Sequence, residues 1–505
     1  MSKRCYGLSC IYLCFLGFFL CEVTGQEFQF NSQNLDSIPQ GSRGVAVADL
    51  DGNGFLDIVV ANQVDSLKLL GNAIHFNYGN RFKQVFVAEN SVAAWSESVH
   101  TVDVDGDYDL DLFFTTQFGT PNLLYLNDGK GNFTKSNAGE LTSDLTNSPG
   151  ACWCDYDLDG DMDVFVVNRD GEDDQLYQNL GKNGFKRVLK GPWIGNKGDG
   201  RSCVWGDLNG DSSPDLYVAN FVTKENGRVT AKHRNYLYFN SGKESFSEQK
   251  EGIWVEELNA SYGVSLVDYD YDHDLDIYVT NVSIKDENAL YHSQGDGTFK
   301  KLTDNAIAYE IHRPSKGQTW GDFNNDGFLD LYVANGTEGY PEIQNFLFSG
   351  VPNEAFQREY HPLPAVDPHI SAGTANGDFD NDGDLDFYVC NWGGEAEPND
   401  YYLNQNQSNQ WIKIRLRGTA SNTFGIGSWL TLTIKNGSQQ TRYAIRETGY
   451  GSENAPEIHF GIPTSKQIER LEVNWPSGMQ QSFSNLDVDT IYYLEENKEI
   501  KKIEQ

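Results

Sequence analysis

An acidic nonapeptide recurs along this chain, and its clearest copy is Asp155-Tyr-Asp-Leu-Asp-Gly-Asp-Met-Asp163. Acidic side chains stand at alternate positions, with Gly160 at the sixth. Alternate residues of a tight loop point inward, a glycine relieves the turn, and a hard divalent cation such as Ca²⁺ takes six to eight oxygens. One copy would be no more than a solvated turn. Seven copies begin at Asp49, Asp103, Asp155, Asp207, Asp268, Asp322 and Asp378, at intervals of 52 to 61 residues. Repeats on such a period, with strand-like flanks, signal a propeller or an array.

The expected side-chain ligands sit at positions 1, 3, 5 and 9, with a backbone oxygen at position 7. They are Asp49, Asp51, Asn53 and Asp57 in the first loop, and Asp103, Asp105, Asp107 and Asp111 in the second. The third offers Asp155, Asp157, Asp159 and Asp163, and the fourth Asp207, Asn209, Asp211 and Asp215. Asp268, Asp270, Asp272 and Asp276 form the fifth set, and Asp322, Asn324, Asp326 and Asp330 the sixth. The seventh is Asp378, Asp380, Asp382 and Asp386. Up to seven Ca²⁺ ions with a mainly structural role are therefore expected, since three or four crowded carboxylates repel one another without metal. Tyr108 and His273 stand where most copies carry glycine. An EF-hand is excluded, because that motif needs a bidentate Glu at position 12. Here position 12 is Val60, Phe114, Val166, Val218, Val279, Val333 and Val389.

A short β-branched or aromatic run follows each loop, such as Val164-Phe-Val166, and another strand-like run precedes it, so each loop reads as a hairpin turn. A third strand, a turn and a Phe-led fourth strand complete each unit, as in Leu123–Phe133. Four strands in each of seven units predict an all-β fold, a seven-bladed β-propeller with Ca²⁺-binding hairpin loops. Phe82, Phe133, Phe185, Phe246, Phe299 and Phe356 open the outer strands, and Phe28 falls at the same spacing ahead of the first loop. The seventh unit stops at Tyr401-Tyr-Leu-Asn404 without its Phe. Residues 26–31 are therefore expected to complete the seventh blade and remove an open sheet edge. Trp153, Trp205 and Trp320, each two residues before a loop, read as packing between blades.

The predicted domains are a signal peptide over 1–25, the propeller over 26–408 and a small all-β domain over 409–505. Lys3 and Arg4 ahead of the apolar run Ile11–Cys21 read as a secretory signal, too short for a comfortable membrane span. A retained N-terminal anchor is the alternative. Removal of the signal leaves Cys152, Cys154, Cys203 and Cys390, too few for a disulfide framework. Cys152 and Cys154 face one side of a strand and cannot bridge each other. Buried free thiols are the simpler reading, and a link between adjacent repeats the sharper one. From Trp411 the repeat gives way to strands at Trp411–Arg417, Trp429–Ile434, Thr441–Arg446, Ile458–Phe460, Ile468–Val473 and Thr490–Leu494. The formal charge of −35 excludes nucleic acid and anionic membranes as partners.

The seven loops with their Phe-Gly-like turns resemble the FG-GAP (VCBS-type) repeats of integrin α-chain propellers. Gly425-Ile-Gly427, Gly449-Tyr-Gly451, His459-Phe-Gly461 and Trp475-Pro-Ser-Gly478 follow in the order of an ASPIC/UnbV module. Signal, propeller and module together resemble the cartilage acidic protein family. That resemblance implies a secreted, Ca²⁺-binding, matrix-associated protein without catalysis. Its cysteine-rich EGF-like tail is not expected, as no cysteine follows Cys390. The expected function is an extracellular binding or adhesion scaffold whose partner is a protein or a glycan. The competing reading is a carbohydrate-active lyase or hydrolase with a site on one propeller face. His312, Arg313, His361, Asp367 and His369 fall in long connections where such a site would sit. No nucleophile motif, zinc spacing or catalytic acid pair accompanies them. Lys197-Gly-Asp199 reads as a chance match to an integrin-binding tripeptide. Asn132, Asn259, Asn281, Asn335, Asn406 and Asn436 head glycosylation sequons.

Overall fold

The computed structural model describes residues 30–503 except 34, 36–40, 64–70, 88–94, 226–227, 243–244, 309–312, 338–342, 353–354, 367–368, 394–396, 406–408 and 436. The expected signal segment, Phe28, His312, Asp367, Asn406 and Asn436 lie outside these residues. Seven antiparallel sheets built on one four-strand pattern follow one another along the chain. The third is typical, with strands Gly150–Cys154, Asp163–Val167, Gln175–Asn179 and Phe185–Arg187 in sequence order. First strands of consecutive sheets are neighbours, and that of the seventh sheet, Ser371–Gly377, lies beside Gly41–Ala48 of the first. The ring is closed.

Near-continuous apolar runs are what a strand buried on both faces needs. Val164 and Val166 pack toward the second sheet, while Phe165 and Val167 pack toward the fourth. Seven such apolar layers, one between each pair of neighbours, form the core of the ring. The tryptophans behave as expected. Trp153 meets Phe113 of the second sheet edge-on at 5.3 Å, and Trp205 meets Phe165 of the third at 6.4 Å. Trp320 meets Tyr278 of the fifth at 5.6 Å.

The seventh sheet closes as anticipated, with one change of register. Phe30–Gln33 pairs antiparallel with Asp400–Asn404, and Phe30, not Phe28, lies opposite Asn404. Phe133 opposite Asn127 and Phe185 opposite Asn179 hold the same register, so Phe30 takes the place of the strand-opening Phe. Spacing alone mislocated it by one residue pair. The expectation of free thiols is also corrected. Cys152 and Cys203 form a disulfide with a Cα–Cα distance of 5.7 Å, joining the first strands of the third and fourth sheets. Cys154 and Cys390 are buried thiols. Asn281 and Asn335 are fully buried, which removes two sequons from reach, and Asp199 of the tripeptide is buried against Arg201 at 2.8 Å.

Beyond the ring, two four-stranded sheets enclose a separate apolar core. One contains Gln410–Arg417, Ile458–Ile462, Thr490–Glu495 and Lys501–Lys502, and the other Trp429–Ile434, Gln439–Tyr443, Ile468–Asn474 and Gln480–Ser484. Five of the six expected strands are present, and the one expected over Thr441–Arg446 runs instead over Gln439–Tyr443. A short hairpin, Glu447–Thr448 and Ser452–Glu453, leaves this pair of sheets and joins the first sheet of the ring. Its tip, Gly449-Tyr450-Gly451, fills the middle of the ring. Val99 and Val264 donate backbone N–H groups to Gly451 and Gly449 at 3.3 and 3.2 Å, and the Tyr450 hydroxyl donates to Glu97. The fit is steric as well: a Cβ on Gly44 would stand 2.1 Å from the Gly451 carbonyl oxygen. At the root of the hairpin Arg446 is 6% exposed, donates to the Thr101 carbonyl and lies 3.4 Å from Glu453. Among the described residues no helix is long and apolar enough to cross a membrane.

Removing Arg446 would leave Glu453 buried without its principal cation. Arg446→Met is expected to cost about 3–5 kcal/mol in guanidinium unfolding, with part recovered by adding Glu453→Gln. Equal stability of Arg446→Met and the parent would refute a locked hairpin.

Candidate metal centres

Each acidic loop is a turn that organises itself through its own carboxylates. In all seven, the backbone N–H of position 6 donates to the position 1 carboxylate at 2.8–3.1 Å. The N–H of position 7 donates to the side chain of position 5 at 2.8–3.0 Å, again in all seven. Positions 4 and 6 both adopt positive φ, as at Gly52 and Gly54, or Leu158 and Gly160. Such a backbone suits glycine and costs other residues about 1–2 kcal/mol. Several departures from glycine carry contacts that repay it. Arg417 lies over the Tyr108 ring at 3.6 Å, His273 packs on Trp429 at 5.4 Å, and the Tyr271 hydroxyl donates to the Gly327 carbonyl at 3.2 Å. Nothing in the structure explains Leu158, which is exposed.

The ninth position ties the loop to its sheet. Its carboxylate accepts a backbone N–H from the end of the third strand at 2.7–2.9 Å in every sheet, as from Asn179 to Asp163. In five loops its other oxygen accepts the position 2 N–H. Positions 1, 3 and 9 converge: Asp49, Asp51 and Asp57 each offer an oxygen within 4.8 Å of the others, as do Asp103, Asp105 and Asp111, and Asp155, Asp157 and Asp163. The position 5 side chain, anchored to its own turn, is not in these groups. Two residue classes escaped the sequence reading. Asn77, Asn127, Asn179, Asn240 and Asn404 end their third strands, and each side-chain amide donates to the position 2 carbonyl of the preceding loop, as Asn179 does to Val104 at 3.0 Å. Their recurrence at one place in five repeats was the available signal. The other is His292, whose Nδ1 lies 3.2 Å from Asp270 and 3.3 Å from Asp276.

Oxygen donors packed this closely, and in part without partners, fit a hard divalent cation. Asp163 Oδ2 and Asp378 Oδ1 are buried with no hydrogen bond. Burial, with neighbouring carboxylates adding to it, pushes Asp57 and Asp215 up to about 8, Asp111 to about 7 and Asp163 to about 9. Asp155 is raised to about 7 and Asp322 to about 8 for the same reasons.

The paired C-terminal sheets sit directly over these loops. Thr423 donates to Asp103 Oδ2 at 3.0 Å, Thr441 to Asp268, and the Lys413 ammonium to Asp378. His459 Nε2 lies 3.1 Å from the Gly383 carbonyl, and a Cβ on Gly461 would come within 2.2 Å of Asp322. The Thr423, Thr441 and Lys413 contacts end on the Oδ2 oxygens of first-position carboxylates, which couples docking of the module to the state of the loops. A cavity of about 320 Å³ remains between the first two loops and the module, lined by Asp49, Tyr108, Asp109, Arg415, Arg417 and Tyr493. The histidines considered for catalysis do not form a site with it. His361 is exposed, and His369 is held by Asp400 at 2.8 Å.

Carboxylates whose folded pKa exceeds the unfolded value near 3.9 stabilise the metal-free fold in acid and lose that contribution as pH rises through the folded pKa. Metal-free protein is therefore expected to melt at progressively lower temperature as pH rises from about 5 to 9. Excess Ca²⁺ should widen the gap between loaded and stripped protein over the same range. A melting temperature of stripped protein that climbs with pH would contradict this.

Comparison with known proteins agrees with the geometry. Residues 103–166, 155–218 and 280–333 match the FG-GAP-like repeat, and the first two segments each open on the first Asp of a loop. Residues 418–501 match the ASPIC and UnbV family. Cartilage acidic protein 1 of Xenopus tropicalis is 24% identical over 481 residues, covering 88% of this chain and 72% of its own length. That of Mus musculus is 25% identical over 508 residues, covering 92% and 76%. Among solved structures, an Agrocybe aegerita lectin aligns with a TM-score of 0.42 and 17% identity over 64% of this chain and 79% of its own, too distant to carry an argument. Repeats that form the loops, a module seated on them and likeness along nearly the whole chain make this protein similar to the cartilage acidic proteins.

Proposed function

We propose that this chain is a secreted, Ca²⁺-stabilised seven-bladed β-propeller that serves as a non-catalytic extracellular scaffold binding a protein or a glycan. The observation that carries this reading is the seating of the C-terminal module on the first-position carboxylates of the loops. Metal in the loops then has a structural task, holding the ring and its cap together. The Ca²⁺ ligands in this reading are the carboxylates of positions 1, 3 and 9, with position 5 completing the set.

With the loop face covered and the middle of the ring plugged, recognition falls to the opposite face. That face carries the segments between second and third strands, including a ribbon of Val222–Glu225 and Arg228–Lys232 whose second strand is exposed throughout. Connections on a rigid frame are where binding residues concentrate. The enzymatic alternative asks for convergent His, Arg or Tyr groups in a deep pocket, and the described histidines named for it are dispersed or engaged.

Modest loop affinities, with Kd about 10⁻⁴ to 10⁻³ M, and free Ca²⁺ of about 10 mM would stabilise the fold by about 1.4–2.7 kcal/mol per occupied loop. Chelation is expected to lower the melting temperature, and Asp163→Asn to reduce the Ca²⁺-dependent increment by about one loop's share. A melting temperature indifferent to chelator removes calcium from the account. Glycan arrays and binding assays of the mature protein, with and without Ca²⁺, test the scaffold role. Turnover of a polysaccharide in those assays would replace it with the enzymatic one.

A further inference from the structure

We infer that the fifth loop is a site for a borderline transition ion of the Zn²⁺ class, unlike the oxygen-only loops around it. His292 stands fourth in the third strand of its sheet, Ala289–Ser293. At the same register the other sheets carry Phe76, Leu126, Gln178, Phe239, Ser349 and Leu403, none of which offers a nitrogen lone pair. In the third sheet Gln178 instead donates an amide N–H to Asp157 at 2.7 Å.

His292, Asp270 and Asp276 each present a ligand atom within 4.8 Å of the other two. The imidazole Nδ1 is 3.2 Å from Asp270 Oδ2 and 3.3 Å from Asp276 Oδ1, an ion pair when the ring is protonated. Asp270 Oδ1 and Asp276 Oδ2 are buried without a hydrogen-bond partner, and Asp276 is fully buried. In five other loops the corresponding position 9 oxygen is satisfied by the position 2 N–H. A metal ion shared by these atoms would take the place of the imidazole proton, since a metal-bound imidazole is neutral. Four ligand atoms set about 2.0 Å from a tetrahedral ion stand about 3.3 Å apart, the spacing seen between nitrogen and oxygen here. Calcium takes oxygen, whereas imidazole favours Zn²⁺ and its first-row neighbours. The Tyr269 ring, edge-on to His292 at 6.1 Å, limits the imidazole's swing.

The inference is independent of calcium occupying the other loops. The test uses untagged full-length mature protein, stripped of metal and returned to about 1 mM Ca²⁺, a level near the expected loop affinities. Zn²⁺ is added, free metal is removed, and bound zinc is counted by mass spectrometry. One retained Zn²⁺ per chain is expected, with the affinity falling about 100-fold in His292→Gln and unchanged in His233→Gln. Cu²⁺-loaded parent protein should show an imidazole nitrogen in its pulsed electron-spin spectrum, and His292→Phe, which copies the first and fourth sheets, should lack it. Absence of retained zinc in the parent overturns the inference. Equal retention by His292→Gln, or a parent spectrum without imidazole nitrogen, overturns it too.

Discussion

A buried carboxylate at the ninth position of each loop is the interaction on which the rest of this protein depends. It accepts a backbone N–H from the third strand while its loop joins the first strand to the second. One side chain thus fixes three of the four strands of a sheet. Seven repetitions place seven carboxylates where water cannot solvate them, and an ionised group there is costly unless it is paired. Protonation and a divalent cation are the two ways of meeting that cost. They compete, since a metal ligand must be deprotonated.

The same logic extends between sheets. Asn127 and Asn179 carry the connection from one loop to the loop before it, so neighbours are tied at the turn as well as through their apolar layers. At the corresponding place the fifth and sixth sheets carry Ser293 and Gly350, without that amide. The fifth loop also bears His292 and receives Thr441 and Trp429 from the module above. Its environment differs from that of its neighbours on every side.

Much of this was legible in the sequence because a period exposes structure that single residues do not. The hairpins, the strands beside them, the inter-sheet tryptophans and the closure by an N-terminal strand all follow from spacing. Register did not: Phe28 and Phe30 differ by two residues, which preserves the face a side chain points to, and only pairing with Asn404 separates them. The disulfide was open because Cys152 and Cys203 are 51 residues apart, and only the ring makes their strands neighbours. His292 was invisible for a related reason. It lies outside the acidic nonapeptide and meets it only through strand pairing. The position of Gly449-Tyr450-Gly451 could not be read either, since a glycine-flanked tyrosine looks the same on a surface turn as in the middle of a ring.

That hairpin bears on how the chain reaches its final form during synthesis. The ring needs Phe30–Gln33 and Asp400–Asn404 to meet, and its middle is filled by residues that follow both. A nascent chain emerging from the ribosome can build individual sheets early, but neither the last edge nor the plug exists until synthesis has passed Glu453. Closure of the ring therefore comes late, and a partly made chain presents an open arc with exposed edges. Such an intermediate is where a folding helper would have to act.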